Sequence, residues 1–199
     1  MTEKELLVAQ DTYLKSGIHI GTKFKTKYMA PFIYKTRPDG LSVLNLQKID
    51  ERIGIAATFL SQFEPEKILL ASRRENGWKA IKAFAKSVGC KAFAGRYPPG
   101  ILTNTNLETF TEVDVIIVTD PWPDKNAVQD ALRLGIPVIA LCDTNNQSNC
   151  IDFVLPCNNK GKKSLGLIFF ILAREFLKKK GQLKEGQEPP FTIEDFTEE

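Results

Sequence analysis

The 199-residue sequence has one histidine, His19, and its four cysteines, Cys90, Cys142, Cys150 and Cys157, form no C-x-x-C pair. A zinc site would have to gather ligands from separate strands, so the thiols read as reduced, mostly buried groups of a cytoplasmic protein. No two of the 13 glycines are spaced G-x-G, which removes the dinucleotide fingerprint. A serine hydrolase needs G-x-S-x-G and a triad histidine. Ser164 stands in GKKSLG, and His19, between Ile18 and Ile20, reads as a hydrogen-bonded structural residue. The longest apolar run, 165–173, has nine residues, well short of the ~18 that a membrane span requires. The opening MTEKELL is too acidic and too interrupted for a signal peptide.

Acidic residues are missing from the whole of 12–38, where Lys15, Lys23, Lys25, Lys27, Lys35 and Arg37 alternate with Phe24, Tyr28, Phe32 and Tyr34. Lysines at 23, 25 and 27 would share one side of an extended arm. Cations interleaved with rings suit RNA, whose phosphates take the charges and whose exposed bases take the rings. The competing reading is a solvated basic loop that its aromatics anchor to the core. The overall charge of +3 conceals a division: residues 181–199 hold one lysine against six acids, a net of −5, so residues 1–180 carry +8. A basic body implies an anionic partner without identifying it.

Continuous apolar runs at 115–118 and 136–141 suit strands buried on both faces of a parallel sheet. Further strands are expected near 67–71, 90–93 and 151–154. Helices are expected over 47–63, 74–88, 124–134 and 164–180, with Trp78, Ile81, Ala85 and Val88 inward on the second of these. A first helix would start at Thr2, with Glu5 completing a capping box, and end at Gly17. Pro38-Asp39-Gly40 is turn chemistry between two short extended pieces. The alternation predicts a three-layer α/β fold with a mainly parallel five-stranded sheet, preceded by an N-terminal helix and a basic arm. One domain is expected over 1–181, with the arm at 15–37 and an acidic tail at 182–199. The tail is expected to be mobile and outside the core, with docking through Phe191, Ile193 or Phe196 as the alternative. The 143–150 connection has no helical pattern and fits the alternation least.

Chemistry at the strand ends reads as structural. GKKS at 161–164 lacks the first glycine of a phosphate loop and has Lys163 where Ser or Thr belongs. Asp120 in VTDPWP resembles a phosphoacceptor, but Ser72-Arg73-Arg74 stands where its acidic partners should be. Asp124 suits an N-cap and Asp143 a turn. Cations instead occupy the loops: Arg73 and Arg74 after the first core strand, Arg96 in the Pro-Gly loop, and Lys160, Lys162 and Lys163 before the last helix. Contacts of this kind hold an RNA backbone without chemistry.

Several stretches, in order, carry a resemblance: SGIHIGTK at 16–23, MAPFIYKTRPDGLSVLNLQKIDERI at 29–53, GRYPPGILTN at 95–104, IPVIALCDTN at 136–145 and NNKGKKSLGLIFFILAREFL at 158–177. Together they resemble the universal small-subunit ribosomal protein S2 family in its archaeal and eukaryotic branch, over residues 5–181. The resemblance implies a flavodoxin-like, or Rossmann-like, sheet of order 2-1-3-4-5. It also implies a structural, non-enzymatic role in the cytoplasmic ribosome, with small-subunit rRNA and neighbouring ribosomal proteins as partners and no cofactor, metal or membrane. Nine residues separate Asn104 from Asp114, leaving no room for the helical hairpin of bacterial members, and the long eukaryotic extension is missing, so an archaeal type fits best. Trp122 stands where a basic residue is common, and Asp130 where Glu is. The RNA-binding set is then Lys23, Lys25, Lys27, Tyr28, Lys35, Arg37, Arg73, Arg74, Arg96, Lys160, Lys162 and Lys163. The alternatives are a nucleotide- or phosphate-binding α/β enzyme and an adhesion or signalling module.

Overall fold

The computed structural model describes residues 6–184, 187 and 189–197. Thr2 and Glu5, expected to cap the first helix, lie outside them. Residues 6–9 are not helical, and α1 is the shorter Gln10–Ser16, ended by Gly17 at φ 68°. The preceding chain is held by tertiary bonds instead. Asp50 accepts from the Leu7 N–H (2.9 Å) and the Tyr13 hydroxyl (2.7 Å), and Arg174 donates to the Leu7 carbonyl (2.7 Å).

The Pro-Asp-Gly turn makes an antiparallel hairpin of β1 (Ile33–Thr36) and β2 (Ser42–Leu44). Gly40 supplies the positive φ, 86°, and the Asp39 carboxylate accepts from the Leu41 N–H. α2 (Leu46–Leu60) starts where the Asn45 side chain accepts from Gln47 and Lys48 N–H groups. Its Ile49, Ile53, Ala56, Ala57 and Leu60 fall on one buried stripe.

The remaining elements are β3 (Ile68–Ser72), α3 (Trp78–Val88), β4 (Lys91–Ala94), β5 (Val115–Val118), α4 (Lys125–Leu134), β6 (Val138–Cys142), β7 (Phe153–Pro156), α5 (Lys162–Lys179) and α6 (Ile193–Phe196). The strand order β4-β3-β5-β6-β7, all parallel, is the 2-1-3-4-5 order expected. Every residue of β3, β5 and β6 is buried, whereas the edge strands β4 and β7 are partly exposed. The chain steps one way from β3 to β4 and the other way from β5 to β6. Right-handed crossovers therefore place α3 and α4 on opposite faces. α5 packs on α2 and α3, and α4 packs on β5 and β6, where Asp130 fastens the 95–100 loop by accepting from Gly100 N–H and Tyr97 O–H. On α3 the buried side chains are Ala80, Ile81, Phe84 and Val88. Trp78 is only half-buried, and Phe84 does the packing expected of Ala85, meeting Phe169 of α5 edge-on at 5.7 Å.

The last sheet step uses no helix. Residues 143–152 alone return the chain from β6 to β7, which is short for a parallel connection. The loop closes on itself through Asp143 N–H to Asn146 Oδ1 (2.7 Å) and Asn146 N–H to the Asp143 carbonyl (3.1 Å). Asp152 then binds the Val138 N–H at 2.8 Å, setting the register of β7.

Of the two readings of the tail, docking is the one the packing displays over the described residues. Phe196 is 1% exposed and sits in a cluster with Phe170 and Phe191, ring centroids 5.4–6.0 Å apart. Thr192 and Asp195 form a capping box on α6. Gly166 of α5 lies under this contact: a Cβ there would fall 2.4 Å from Thr197 Cγ2 and 2.9 Å from the Phe196 carbonyl oxygen.

Two predictions follow from this packing. Leu172, fully buried on α5, should cost about 2–5 kcal/mol when replaced by Ala, while Lys179→Ala should stay within about 0.5 kcal/mol in urea unfolding. Phe196→Ala should cost about 3–5 kcal/mol, and Gly166→Ala should also destabilise, because the added methyl meets backbone. Equal stability of the Phe196→Ala variant and the parent would mean that the tail contributes nothing to the fold.

Candidate nucleic-acid interface

The carboxyl ends of the five strands share one edge, and most of the predicted cations stand on it. Ser72-Arg73-Arg74 follows β3, Thr119-Asp120 follows β5, Asp143 follows β6, and Asn158 to Lys163 follow β7. Beneath them runs a polar network. The Thr119 hydroxyl donates to Ser72 Oγ (2.7 Å), and Ser72 in turn donates to the Arg74 carbonyl (3.0 Å). Asp120 is buried, accepting from the Arg74 guanidinium (Nε at 2.7 Å, with Nη2 also in contact), from Asn146 Nδ2 (2.9 Å) and from the Trp122 N–H (3.1 Å). Asn76 donates to the Lys160 carbonyl and Asn159 to the Leu141 carbonyl, joining the loops of β3, β6 and β7.

Asp124 departs from its expected role. It holds the N-cap position of α4, but its carboxylate makes no cap bond and turns back to the Arg73 N–H (2.8 Å), with Thr119 Oγ at 3.3 Å and the Asp120 N–H at 3.4 Å. Asp143 makes the local turn bond expected of it, to the Thr144 N–H, and also pairs with Lys160 at 3.2 Å. The strand-order switch lies between β3 and β5, where sheets of this kind hold nucleotides. Here Arg74, Asp120 and Asp124 fill it, placing two carboxylates where a phosphate would sit.

The basic arm crosses the same edge. Thr22 N–H donates to Thr144 Oγ (2.9 Å), Thr26 N–H to the Thr144 carbonyl (2.9 Å), and the Thr26 hydroxyl to the Asn146 carbonyl (2.7 Å). Gly21 permits this approach, since a Cβ there would lie 2.4 Å from Thr144 Cγ2. Ile18 and Met29, both buried, anchor the two ends. Lys23, Lys25, Lys27 and Tyr28 are exposed, and Phe24 is 79% exposed. Of the arm's aromatics only Phe32 packs against the core, while Phe24, Tyr28 and Tyr34 are exposed. Strict alternation would set Phe24 opposite the lysines, yet it too faces solvent, so the arm is held by backbone bonds to β2 over 19–22 and by its threonines to the β6–β7 loop.

The edge brings together Lys23, Lys25, Lys27, Tyr28, Arg73, Arg74, Lys160, Lys162 and Lys163. Arg73, Lys162 and Lys163 are exposed, while Arg74 and Lys160 are half-buried in their aspartate pairs. Lys35 and Arg37 lie exposed on the hairpin, and a Cβ at its Gly40 would lie 3.9 Å from the Lys23 stem. Arg96 is exposed beyond the sheet edge formed by β4. His19 is half-buried beside the hairpin; its Nδ1 has no hydrogen-bond partner, while the ring bonds to the backbone at Tyr13. Burial and the nearby Arg37 hold its titration below the usual value. Of the thiols, Cys142 and Cys157 are buried and pushed up by burial, but Cys150 is exposed. Sequence reasoning missed Thr22, Thr26, Thr144 and Asn146; the only signal for them is that uncharged hydrogen-bonding residues punctuate the arm and the loop.

Burial pushes Asp124 up to about 6, against the bonds from Arg73 and Asp120 N–H groups that pull it down. A carboxyl raised in the folded state favours folding fully below its unfolded value near 4 and loses that contribution as pH rises through 6. Stability should therefore fall by about 2–3 kcal/mol between pH 4 and 6 from this group. Asp124→Asn should flatten that part of a urea-unfolding pH profile, and an unchanged profile would show that Asp124 titrates normally.

The profile of the family described as Ribosomal protein S2 matches residues 13–112 and 107–178. Proteins named small ribosomal subunit protein uS2 are similar along almost the whole chain. That of Pyrobaculum islandicum is 47% identical over 197 residues, covering 98% of this chain and 95% of its own. That of Nanoarchaeum equitans is 48% identical over 192 residues, covering 96% of each. That of Picrophilus torridus is 44% identical over 196 residues, covering 98% of each. With both parts of the profile in order on an all-parallel 2-1-3-4-5 sheet, this chain belongs to the ribosomal protein S2 family, as an archaeal-type member.

Proposed function

We propose that this protein is a structural constituent of the small ribosomal subunit, that it binds rRNA along the carboxyl edge of its sheet, and that it packs against neighbouring ribosomal proteins without catalysing a reaction. The single observation that carries the RNA contact is the arm. Its backbone is fixed by Thr22 and Thr26 to the β6–β7 loop, while Lys23, Lys25 and Lys27 stand exposed in a run without an acid. A tethered arm presents charge at lower entropic cost than a free one. Arg73, Lys162 and Lys163 extend the same surface. Lys35, Arg37 and Arg96 supply outlying contacts, and Tyr28 offers a ring. Arg74 and Lys160 serve chiefly to hold their loops, since each is already paired with a buried aspartate.

The test is filter binding to small-subunit rRNA at several salt concentrations. Replacing Lys23, Lys25 and Lys27 together by Ala should leave circular dichroism unchanged, because none of the three is buried. It should weaken binding and lower the log–log salt slope by up to about 0.7–0.9 per lost phosphate contact, on the scale known for DNA. Incorporation into assembling subunits should fall in parallel. A folded variant with parent affinity and slope would move the RNA surface away from the arm.

A further inference from the structure

Beside the basic edge, between α4 and the 145–150 loop, lies an open cleft of about 650 Å³, within the ~300–1,000 Å³ usual for small-ligand sites. Trp122 stands at its mouth and is 82% exposed, unusual for the largest side chain in the protein. Pro121, Val128 and Leu132 give the cleft an apolar wall. Amides complete the lining, Gln147 and Asn149 from the loop and Gln129 from α4. Lys125 stands exposed among them, and Arg74 has a third of its side chain exposed while it pairs with Asp120. The one carboxylate in the lining, Asp120, is buried and already bound by Arg74, Asn146 and the Trp122 N–H.

This composition is specific. A flat ring in water, uncharged donors and acceptors beside it, and an exposed cation with no exposed acid among the lining residues match the three parts of a nucleotide: a π face, base edges and a phosphate. An apolar peptide anchor would use the wall alone and leave the amides and Lys125 without a role. The cleft also adjoins the arm, because Asn146, in its lining, accepts the Thr26 hydroxyl.

We propose that the cleft seats an unpaired base of bound RNA, stacked on Trp122, with its edge read by the amides and its phosphate drawn to Lys125. The proposal rests on the RNA-binding reading above and adds to it a preference for single-stranded over duplex RNA at this point.

The experiment measures fluorescence anisotropy of a short labelled RNA single strand, and of the same strand annealed to its complement, with full-length protein across a salt series. Trp122→Ala should weaken single-strand binding by about 5- to 150-fold, the loss of one stacked base. It should leave duplex affinity and the salt slope unchanged, since no phosphate contact is removed. Trp122→Phe should restore most of the loss. Labelling of Cys150, the exposed thiol of the lining, by a maleimide should slow in the presence of the single strand. Unchanged single-strand affinity in Trp122→Ala overturns the proposal and leaves the cleft to a protein neighbour; an equal loss on duplex overturns it also. The arm variant separates the two readings. If it weakens both RNAs while Trp122→Ala weakens neither, the base seat alone falls; if only Trp122→Ala acts, the arm reading alone falls.

Discussion

A parallel sheet covered on both faces decides where this protein can interact. β3, β5 and β6 are buried at every residue, so no side chain of the three central strands reaches solvent. Polar chemistry is confined to the strand ends, where backbone N–H and C=O groups leave the ladder and must find other partners. At the carboxyl edge those partners are side chains: Asp124 for Arg73, Asn146 for Asp143, and Asn159 for Leu141. Satisfying these groups also stiffens the loops that carry the cations. The surface cations are thus displayed from fixed points.

The arm repeats this logic with different residues. Threonine hydroxyls and backbone N–H groups tie it to the β6–β7 loop, and the lysines between them make no contact that burial requires. Anchoring and display are separated residue by residue, so the lysines can be exchanged without loss of the fold. The same division appears in the loops. Arg74 and Lys160 are held by Asp120 and Asp143, whereas Arg73 and Lys163 beside them reach solvent. A cation paired with a buried carboxylate contributes position more than free charge, because its field is largely cancelled at a distance.

The sheet was legible because its signals are composition over several residues. Runs such as 115–118 and 136–141, the second of them directly after Gly135, leave few alternatives. The candidate surface was legible as an absence of acids. What escaped was every feature decided by tertiary geometry. Asp124 looks like an N-cap, but Arg73, 51 residues earlier, claims its carboxylate. Phe84 replaces Ala85 on the buried face of α3 because residues three and four beyond Ile81 lie on the same side of a helix, and periodicity does not choose between them. The first helix shrank to α1 because Leu7 is bound to Asp50 and Arg174, bonds no local pattern reveals. Thr22 and Thr26 meet Thr144 and Asn146 across about 120 residues of sequence, and single threonines carry no periodic signal.

The charge division of the sequence takes on meaning once the tail is seen docked. Lys79, Lys82 and Lys86 share one face of α3, and they line a groove with Phe191 and Asp195 of the tail. Lys79 donates to the Thr197 carbonyl at 2.6 Å. The Asp195 carboxyl is held below its usual range first by its bonds to Thr192 and then by Lys79 and Lys86. The tail thus sets Asp195 beside the cations of α3. Electrostatic attraction alone would let this arrangement fade as salt rises, since screening at 0.15 M acts over ~8 Å. The Phe196 ring, buried against Phe170 above Gly166, does not depend on salt. The apolar anchor therefore keeps acid over the α3 lysines under the ionic conditions in which a polyanion would compete for them.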